Sequence, residues 1–464
     1  KDLLPEVSNQ QQAIFDQGYE VEAYAQSLFS DSKSVSNDVF KAEKETKQFI
    51  KDGVQVLFQA TAIADQLLVR ADILKYDPAS LSWEIFEVKS PTEVKEEHLF
   101  DLCFQKIVFE QAGYKIGKTF LIHINKDYVR NGEINVKELL VIENVSDRII
   151  NFESTIKLDI PKALAVLEEQ EEPHVKIIKQ CTSPYECGFI NYCWKEADIP
   201  EYSVYDVKRI GEKKLRDLLD IKIMEVKDIP DDFPLTETQM NQVVVAKTQQ
   251  PIIDKESIES TFNSLSYPLY FLDYETFAPA IPLFDGTKPY QQVCFQYSLH
   301  VLHKNGELKH YEFLAKGKEN PIPALLKQMQ QDIISDSGTV MVWNKSFEMA
   351  RNSEMAAMYP EYKEFLEDVN RRVFDLMEIF SKQYYVHPDF QGSCSIKKVL
   401  PVLVPELSYK ILGIHDGGMA TRGWHEMNFG EISDEEREKI YQDLLKYCGL
   451  DSLAMVRIFE ELKK

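Results

Sequence analysis

Hydrophobic and polar positions change period along the chain, and each change marks a predicted element. From residue 9 to about 30, Ile14, Phe15, Tyr19, Val21 and Tyr24 recur on one loosely apolar face, which predicts a helix. A second amphipathic run, EKETKQFIKDG, closes at Gly53. The period then drops towards two. VQVLFQATAIADQLLVRADILKYDPASLSWEIFEVKS reads as strand, strand, a turn at Asp77-Pro78, and strand. A helix around TEVKEEHLFDLCFQKIVFEQAG and a strand at KTFLIHIN follow. Such alternation predicts an α/β sheet domain.

Residues 151–200 carry a helical stretch and then a cysteine run, CTSPYECGFINYCW. Between 201 and 255 the pattern shortens to small helices, with Lys208, Arg209, Lys213, Lys214 and Arg216 close together. Strands resume at 268–275, 292–302, 308–314 and 338–343, and helices continue to the end. No internal repeat is visible. The expected fold is α/β: two mixed-sheet domains, 1–200 and 262–464, joined by a small helical connector over 201–261.

Composition supports a folded chain. The 464 residues are 44% hydrophobic and 11% aromatic, with no long low-complexity tract. A formal net charge of −23 argues against binding a polyanion or a membrane surface by bulk attraction. It leaves room for a local basic groove or for acid clusters neutralised by divalent metal. Seven cysteines, with no secretory signal and no long apolar run, point to a reducing compartment, the cytoplasm, where clustered cysteines are more often metal ligands than disulfides. Position 1 is Lys, so a segment upstream is expected.

Asp72 lies one hairpin length before Glu87 and Lys89, which share a strand face. Two carboxylates suit Mg²⁺ or Mn²⁺, and a neighbouring ammonium can stabilise charge developing on phosphate. An isolated E-x-K is more often a surface ion pair, so the context decides. Helix, strand, Asp strand, E-x-K strand and a helix with Gln105 together resemble the PD-(D/E)XK nuclease superfamily, most closely its RecB-like branch, which includes iron-sulfur CRISPR-associated nucleases. That resemblance implies Asp72 and Glu87 as metal ligands, Lys89 as the catalytic lysine and Gln105 as the helix glutamine. Where the branch often has a first-helix His four residues after a Gly, Gly18 is followed here by Glu22, which can also ligate metal. The tyrosine usual four residues after Gln105 is Phe109.

Cys181, Cys187 and Cys193 recur every six residues with Pro184 and Gly188 between them. Thiolates so spaced suit a 4Fe-4S cluster or Zn²⁺. The related iron-sulfur nucleases place three cysteines here and a fourth upstream of the sheet. No cysteine precedes Cys103, so either the fourth ligand lies upstream of Lys1 or the site is vestigial and the three merely pack a loop.

SYPLYFLDYETFAPAIP places Asp273 and Glu275 two residues apart inside an apolar strand, so both point to one face. Downstream stand VWNKSFEMA with Asn344 and Glu348, VFDLM with Asp375, and KYCGLDSLAM with Tyr447 and Asp451 four apart on a predicted helix. Several carboxylates converging on one point form a ligand set for two divalent ions. Each motif alone is weak, but their order resembles the DEDD exonucleases of the ribonuclease H-like superfamily, in the DnaQ-like subgroup with Tyr in the last motif. The resemblance implies Asp273, Glu275, Glu348 and Asp451 as metal ligands and Tyr447 as the residue that orients or deprotonates water. The family's second motif ends in Asp, and Glu348 stands there. Asp375 is an accessory acid or, more simply, a cap. His387, His415 and His425 fit no compact metal site.

The whole order resembles a bacterial family in which both nuclease types are fused. It implies a cytoplasmic, Mg²⁺- or Mn²⁺-dependent nuclease that trims nucleic acid 3′ to 5′ in DNA repair or defence, DNA being favoured over RNA, with no membrane partner. The basic residues of the connector are candidates for phosphate contact, in the manner of a helix-hairpin-helix. Two alternatives stay open: an inactive nucleic-acid-binding or scaffold module, and a ribonuclease.

Overall fold

The alternation between Val54 and Lys89 becomes an antiparallel meander in the computed structural model, which describes residues 4–5, 7–173 and 175–464. The chain is a mixed α/β protein and divides into two compact units. The first comprises 6–176 together with 278–291. Its elements are α1 (Asn9–Gln26), β1 (Ser32–Ser34), α2 (Val39–Lys51), β2 (Val56–Ala64), β3 (Leu67–Asp77), β4 (Ser82–Lys89), α3 (Glu96–Gln111), β5 (Ile116–Ile124), α4 (Val136–Leu139), β6 (Leu140–Asn144) and α5 (Ser146–Glu168).

The six strands follow one another in sequence order. β2, β3 and β4 pair antiparallel, while β5 lies parallel to β4 because α3 carries the chain across. β4 sits in the middle of the sheet, and its first six residues are buried, so its apolar positions are nearly continuous. Strand alternation sends Leu57, Leu74 and Ile85 to one face, where Leu99, Leu102, Cys103 and Phe109 of α3 cover them. Phe58, Ile73 and Phe86 face the other way, against Val21 and Ala25 of α1. Ala280 and Ile281 of the 278–291 segment complete that second layer. Arg130 fastens the segment by donating to the carbonyls of Pro282 at 2.9 Å and Leu283 at 2.8 Å.

The second unit comprises 177–277 and 292–464 with the first five residues. It contains α6 (Ile190–Glu196), α7 (Glu212–Asp220), α8 (Glu237–Thr248), β7 (Ile252–Ile253), α9 (Lys255–Asn263), β8 (Leu269–Phe277), β9 (Val293–Leu302), β10 (Leu308–Leu314), α10 (Ile322–Asp332), β11 (Val340–Val342) and α11 (Lys345–Met358). α12 (Lys363–Arg371), β12 (Val373–Asp375), α13 (Glu378–Ser381), β13 (Tyr385–Val386), α14 (Ile396–Leu403), α15 (Gly417–Phe429) and α16 (Asp434–Leu462) complete it. The main sheet runs β10-β9-β8-β11-β12. β8 is antiparallel to β9, and β8, β11 and β12 are mutually parallel. Strand order therefore reverses direction at β8 and β11, and the carboxyl ends of parallel strands at such a switch point leave a crevice suited to ligands.

The division differs from the expected three segments. The connector has a small core of its own, Val204, Val207, Leu215, Leu218, Val226, Ile229 and Val243. Yet it shares a unit with the C-terminal sheet: β7 pairs antiparallel with β13, and Lys208 Nζ donates to Cys394 Sγ at 3.3 Å. The cysteine segment also belongs to this second unit, where Trp194 packs on Tyr205 with ring centroids 4.8 Å apart.

Candidate functional site

In the second unit, β8 brings Asp273 and Glu275 to one face at the carboxyl end of the strand, followed at once by a register shift between Glu275 and Thr276. Such irregularities re-aim side chains and are common beside active sites. Tyr274, between the two acids, turns the other way and donates to Asn352 Oδ1 at 2.8 Å. The turn after β11 contributes Trp343, Asn344 and, on α11, Glu348; α14 contributes Lys397; α16 contributes Tyr447 and Asp451. Together they line a cleft of about 200 Å³. The expected set Asp273, Glu275, Asn344, Glu348, Tyr447 and Asp451 is therefore gathered in one place.

Four carboxylates share this cleft, and burial is the leading reason that their pKa values rise. Asp273, Glu275 and Glu348 are pushed well above the usual carboxylate range by burial and by one another's charge or that of Asp451. Burial pushes Asp451 up to about 6, while a hydrogen bond from Tyr409 and the charge of Lys397 oppose the rise. Tyr409 OH donates to Asp451 Oδ1 at 2.5 Å. Glu348 Oε2 is buried with no hydrogen-bond partner. A crowded, largely buried set of acids with an unpartnered oxygen fits divalent cations, which take carboxylate oxygens and neutralise them.

Among the described residues, the only His, Cys, Asp and Glu group with ligand atoms all within 4.8 Å of one another is Asp273, Glu275 and Cys448. Cys448 lies 3.7 Å from Asp273 Oδ2, and burial followed by the charge of Asp273 raises its pKa, so it stays a thiol and a weak donor to that carboxylate. Glu348 and Asp451 line the same cleft without joining that tight group.

Asp375 acts as a cap. Its carboxylate accepts from the backbone N–H of Asn344 at 3.0 Å, Lys345 at 2.9 Å and Met377 at 3.0 Å. Asn344 itself holds a left-handed φ of 82° at the start of α11. The acid thus fixes the turn that aims Glu348.

The first unit assembles the other set. Asp72 Oδ2 accepts from Val88 N at 2.8 Å. Lys89 Nζ lies 2.8 Å from both Glu87 Oε1 and Asp101 Oδ2. Gln105 donates to Glu87 Oε2 at 2.8 Å. Gln59 donates to Glu22 Oε1 at 2.5 Å and Asp72 Oδ1 at 3.1 Å, so one amide bridges two candidate ligands. Burial, then Asp72, pushes Glu87 up to about 8, and burial, then Glu22, pushes Asp72 up to about 6. Burial disfavours charge on Lys89, but Glu87 and Asp101 outweigh it and hold its pKa above the ordinary lysine value.

The three cysteines form no comparable group. Cys187 N donates to Cys181 O at 2.8 Å, but Cys187 is exposed and the other two half-buried, and their sulfurs do not gather as metal ligands. No cluster is assigned to them. Of the basic connector residues, Arg216 pairs with Glu212 and Lys208 reaches Cys394, while Arg209 and Lys213 are exposed and Lys214 is half-buried.

Sequence reasoning missed Gln59, Asp101, Lys397, Tyr409 and Cys448. Asp101 had a readable signal, lying four residues before Gln105 on one helix face. Cys448 adjoins Tyr447 but has no spacing that marks it. Gln59, Lys397 and Tyr409 join their sites only through tertiary folding.

A mixed α/β chain with carboxylates converging at a sheet switch point defines the class that the geometry supports. Residues 270–395 match the family model described as a domain of unknown function, DUF2779. The matched stretch carries Asp273, Glu275, Asn344, Glu348 and Asp375 and stops short of Lys397, Tyr447 and Asp451. The chain is similar to the uncharacterized protein UU173 of Ureaplasma parvum, 26% identical over 298 residues, covering 59% of this chain and 41% of that one. It is also similar to the uncharacterized protein MG366 of Mycoplasma genitalium, 27% identical over 219 residues, covering 43% of this chain and 32% of that one. The chain thus spans less than half the length of these relatives. No solved structure matches it. Among the described residues, no helix is long and apolar enough to cross a membrane.

Proposed function

We propose that the protein is a cytoplasmic, metal-dependent nuclease whose second unit shortens nucleic acid from the 3′ end, DNA being favoured. The observation that carries this reading is the cleft where Asp273, Glu275, Glu348 and Asp451 meet Tyr447 at the carboxyl ends of β8 and β11, with Glu348 Oε2 unpartnered. These four acids would hold Mg²⁺ or Mn²⁺. Such ions, when bound, supply Lewis-acid stabilisation of the charge that develops as a phosphodiester is cleaved.

The chain's own residues do the rest. In the metal-free cleft, burial and the charges of Asp451, Glu275 and Asp273 hold the Tyr447 phenol protonated; with metal bound beside it, Tyr447 would orient or deprotonate the attacking water. Trp343 and Phe347 give the cleft apolar walls on which a base can stack. In the first unit, Lys89 stays charged between Glu87 and Asp101, which suits it to stabilise negative charge on phosphate. Glu22, Asp72 and Glu87 would hold the metal there.

One observation favours a binding role for the first unit instead: Gln59, Gln105 and Lys89 already engage oxygens of all three acids. End-labelled single-stranded DNA and RNA incubated in Mn²⁺ separate the readings. Wild type is expected to shorten DNA stepwise from the 3′ end, Asp273→Ala to stop this, and EDTA to abolish it; Lys89→Ala reports the first unit alone. Preferential loss of RNA would make the protein a ribonuclease. If neither strand is cut, the nuclease reading falls and a nucleic-acid-binding module takes its place.

A further inference from the structure

We propose that Lys397 is the phosphate-binding cation of the cleft in the second unit, its ammonium taking a non-bridging oxygen of the nucleic-acid backbone beside the four carboxylates. The inference rests on the nuclease reading of that cleft.

Among the residues lining the cleft, Lys397 is the one Lys or Arg, sharing it with Asp273, Glu275, Glu348 and Asp451. A phosphodiester entering this space meets like charge from four sides. Divalent cations relieve part of that repulsion, and a fixed ammonium relieves more without needing to be bound from solution.

Lys397 is also held in place. Its Nζ donates to His415 O at 2.8 Å and lies 5.4 Å from the ring centroid of Tyr447 and 5.6 Å from that of Tyr409. It stands in the first turn of α14, which is anchored by buried Val399 and Leu400. Just before the helix, Trp343 Nε1 ties down the Cys394 carbonyl at 3.1 Å. An ammonium has three donors, and His415 takes one of them. With acids so close, an ion pair would be the default use of this charge, yet among the described residues no carboxylate lies within 4.0 Å of Lys397, although its field reaches Asp273, Glu275 and Asp451. A positioned, exposed cation without a pairing partner, at the edge of a carboxylate cleft, has the geometry of a group that waits for an anion.

The competing role is a prop: Lys397 could serve only to steady the rings of Tyr409 and Tyr447. The full chain distinguishes the two. Binding of a single-stranded DNA oligonucleotide is followed by fluorescence anisotropy in Ca²⁺ across a salt series, and 3′ shortening is followed in Mn²⁺. Each phosphate contact contributes about 0.7 to the slope of log K against log salt for a single strand. Lys397→Gln is expected to lower that slope by about this amount and to slow shortening about a hundredfold. Lys397→Arg is expected to keep the slope. A strand whose 3′-terminal linkage is an uncharged methylphosphonate is expected to lose the same slope on wild type and nothing further on Lys397→Gln. Thermal melting of both variants checks that they fold.

An unchanged salt slope in a folded Lys397→Gln, with equal sensitivity to the neutral linkage in variant and wild type, overturns the proposal even if shortening slows. If wild type shortens DNA while Lys397→Gln matches it in every readout, this inference fails and the nuclease reading stands. If wild type neither binds nor shortens the strand, both fall together.

Discussion

Glu348 shows how a single side chain separates stability from function. A buried carboxylate oxygen without a partner loses its hydration and gains nothing in return while no cation is bound. Glu348→Gln keeps the volume but removes a group that must hold a proton to stay buried, so in EDTA the variant should gain stability over wild type as pH rises, read as a higher denaturation midpoint at pH 8. The same variant should lose most of the stabilisation that wild type gains from Mn²⁺. A lower midpoint in EDTA would mean that the carboxylate has a partner inside the fold and is not held for a metal. Gln59 makes the reciprocal case. It keeps a left-handed φ of 58° within β2 while its amide bridges Glu22 and Asp72. A non-glycine residue there costs of the order of 1 kcal/mol or more, so something must hold it, and the bridge is the visible candidate. Gln59→Ala should weaken Mn²⁺ binding at the first unit by about tenfold, measured by calorimetry in an Asp273→Ala background so that the other site does not contribute. Unchanged affinity would reduce the bridge to packing.

At the level of elements, the N-terminus of α11 depends on Asp375, whose carboxylate accepts three backbone N–H groups from the turn and the helix start. Asp375→Ala should cost about 1–2 kcal/mol in chemical denaturation and should slow any activity of the cleft by misplacing Glu348; Asp375→Asn should recover part of both. An unaltered denaturation midpoint would show that the turn holds without its cap. The contrast between Asp375 and its neighbours also shows what was legible in the sequence. Asp273 and Glu275 stood out because acids are costly in an apolar strand, and Tyr447 with Asp451 because a four-residue spacing fixes one helix face. Those signals are local, so they survive without a structure. The three strands between Val54 and Lys89 were readable for the same reason: burial on one or both faces writes period and composition directly into the chain. Short edge elements such as β1, β7 and β13 carry too few residues to show a period. Lys397, Tyr409 and Gln59 reach their sites from residues far away in sequence, and nothing near them on the chain reports it. Spacing says less in the cysteine run, because it constrains the backbone and leaves the direction of each sulfur to the loop.

Across the whole molecule, both units store protons that the unfolded chain would release. In the folded, metal-free protein Glu87 is pushed up to about 8, and Asp72 and Asp451 up to about 6, against ordinary values of 4.5 for Glu and 3.8 for Asp. Asp273, Glu275 and Glu348 shift the same way. Between the unfolded and folded pKa values the folded state binds more protons, so stability must fall as pH rises through that window. In EDTA the melting temperature should therefore decline from about pH 5 to pH 8 as Asp72 and Asp451 and then Glu87 lose protons, the last of these near the upper end. Metal reverses the trend, since binding needs the ionised carboxylates and expels their protons. Saturating Mn²⁺ should raise the melting temperature more at pH 8 than at pH 6, and calorimetry in buffers of different ionisation enthalpy should register net proton release on binding. A melting temperature in EDTA that is flat or rising across this range would mean that the carboxylates are already satisfied within the fold and have no electrostatic need of a metal at either site. The formal charge of −23 acts in the same direction through general repulsion. The control is therefore Glu87→Gln, which should flatten the decline near pH 8 while leaving most of that long-range term in place.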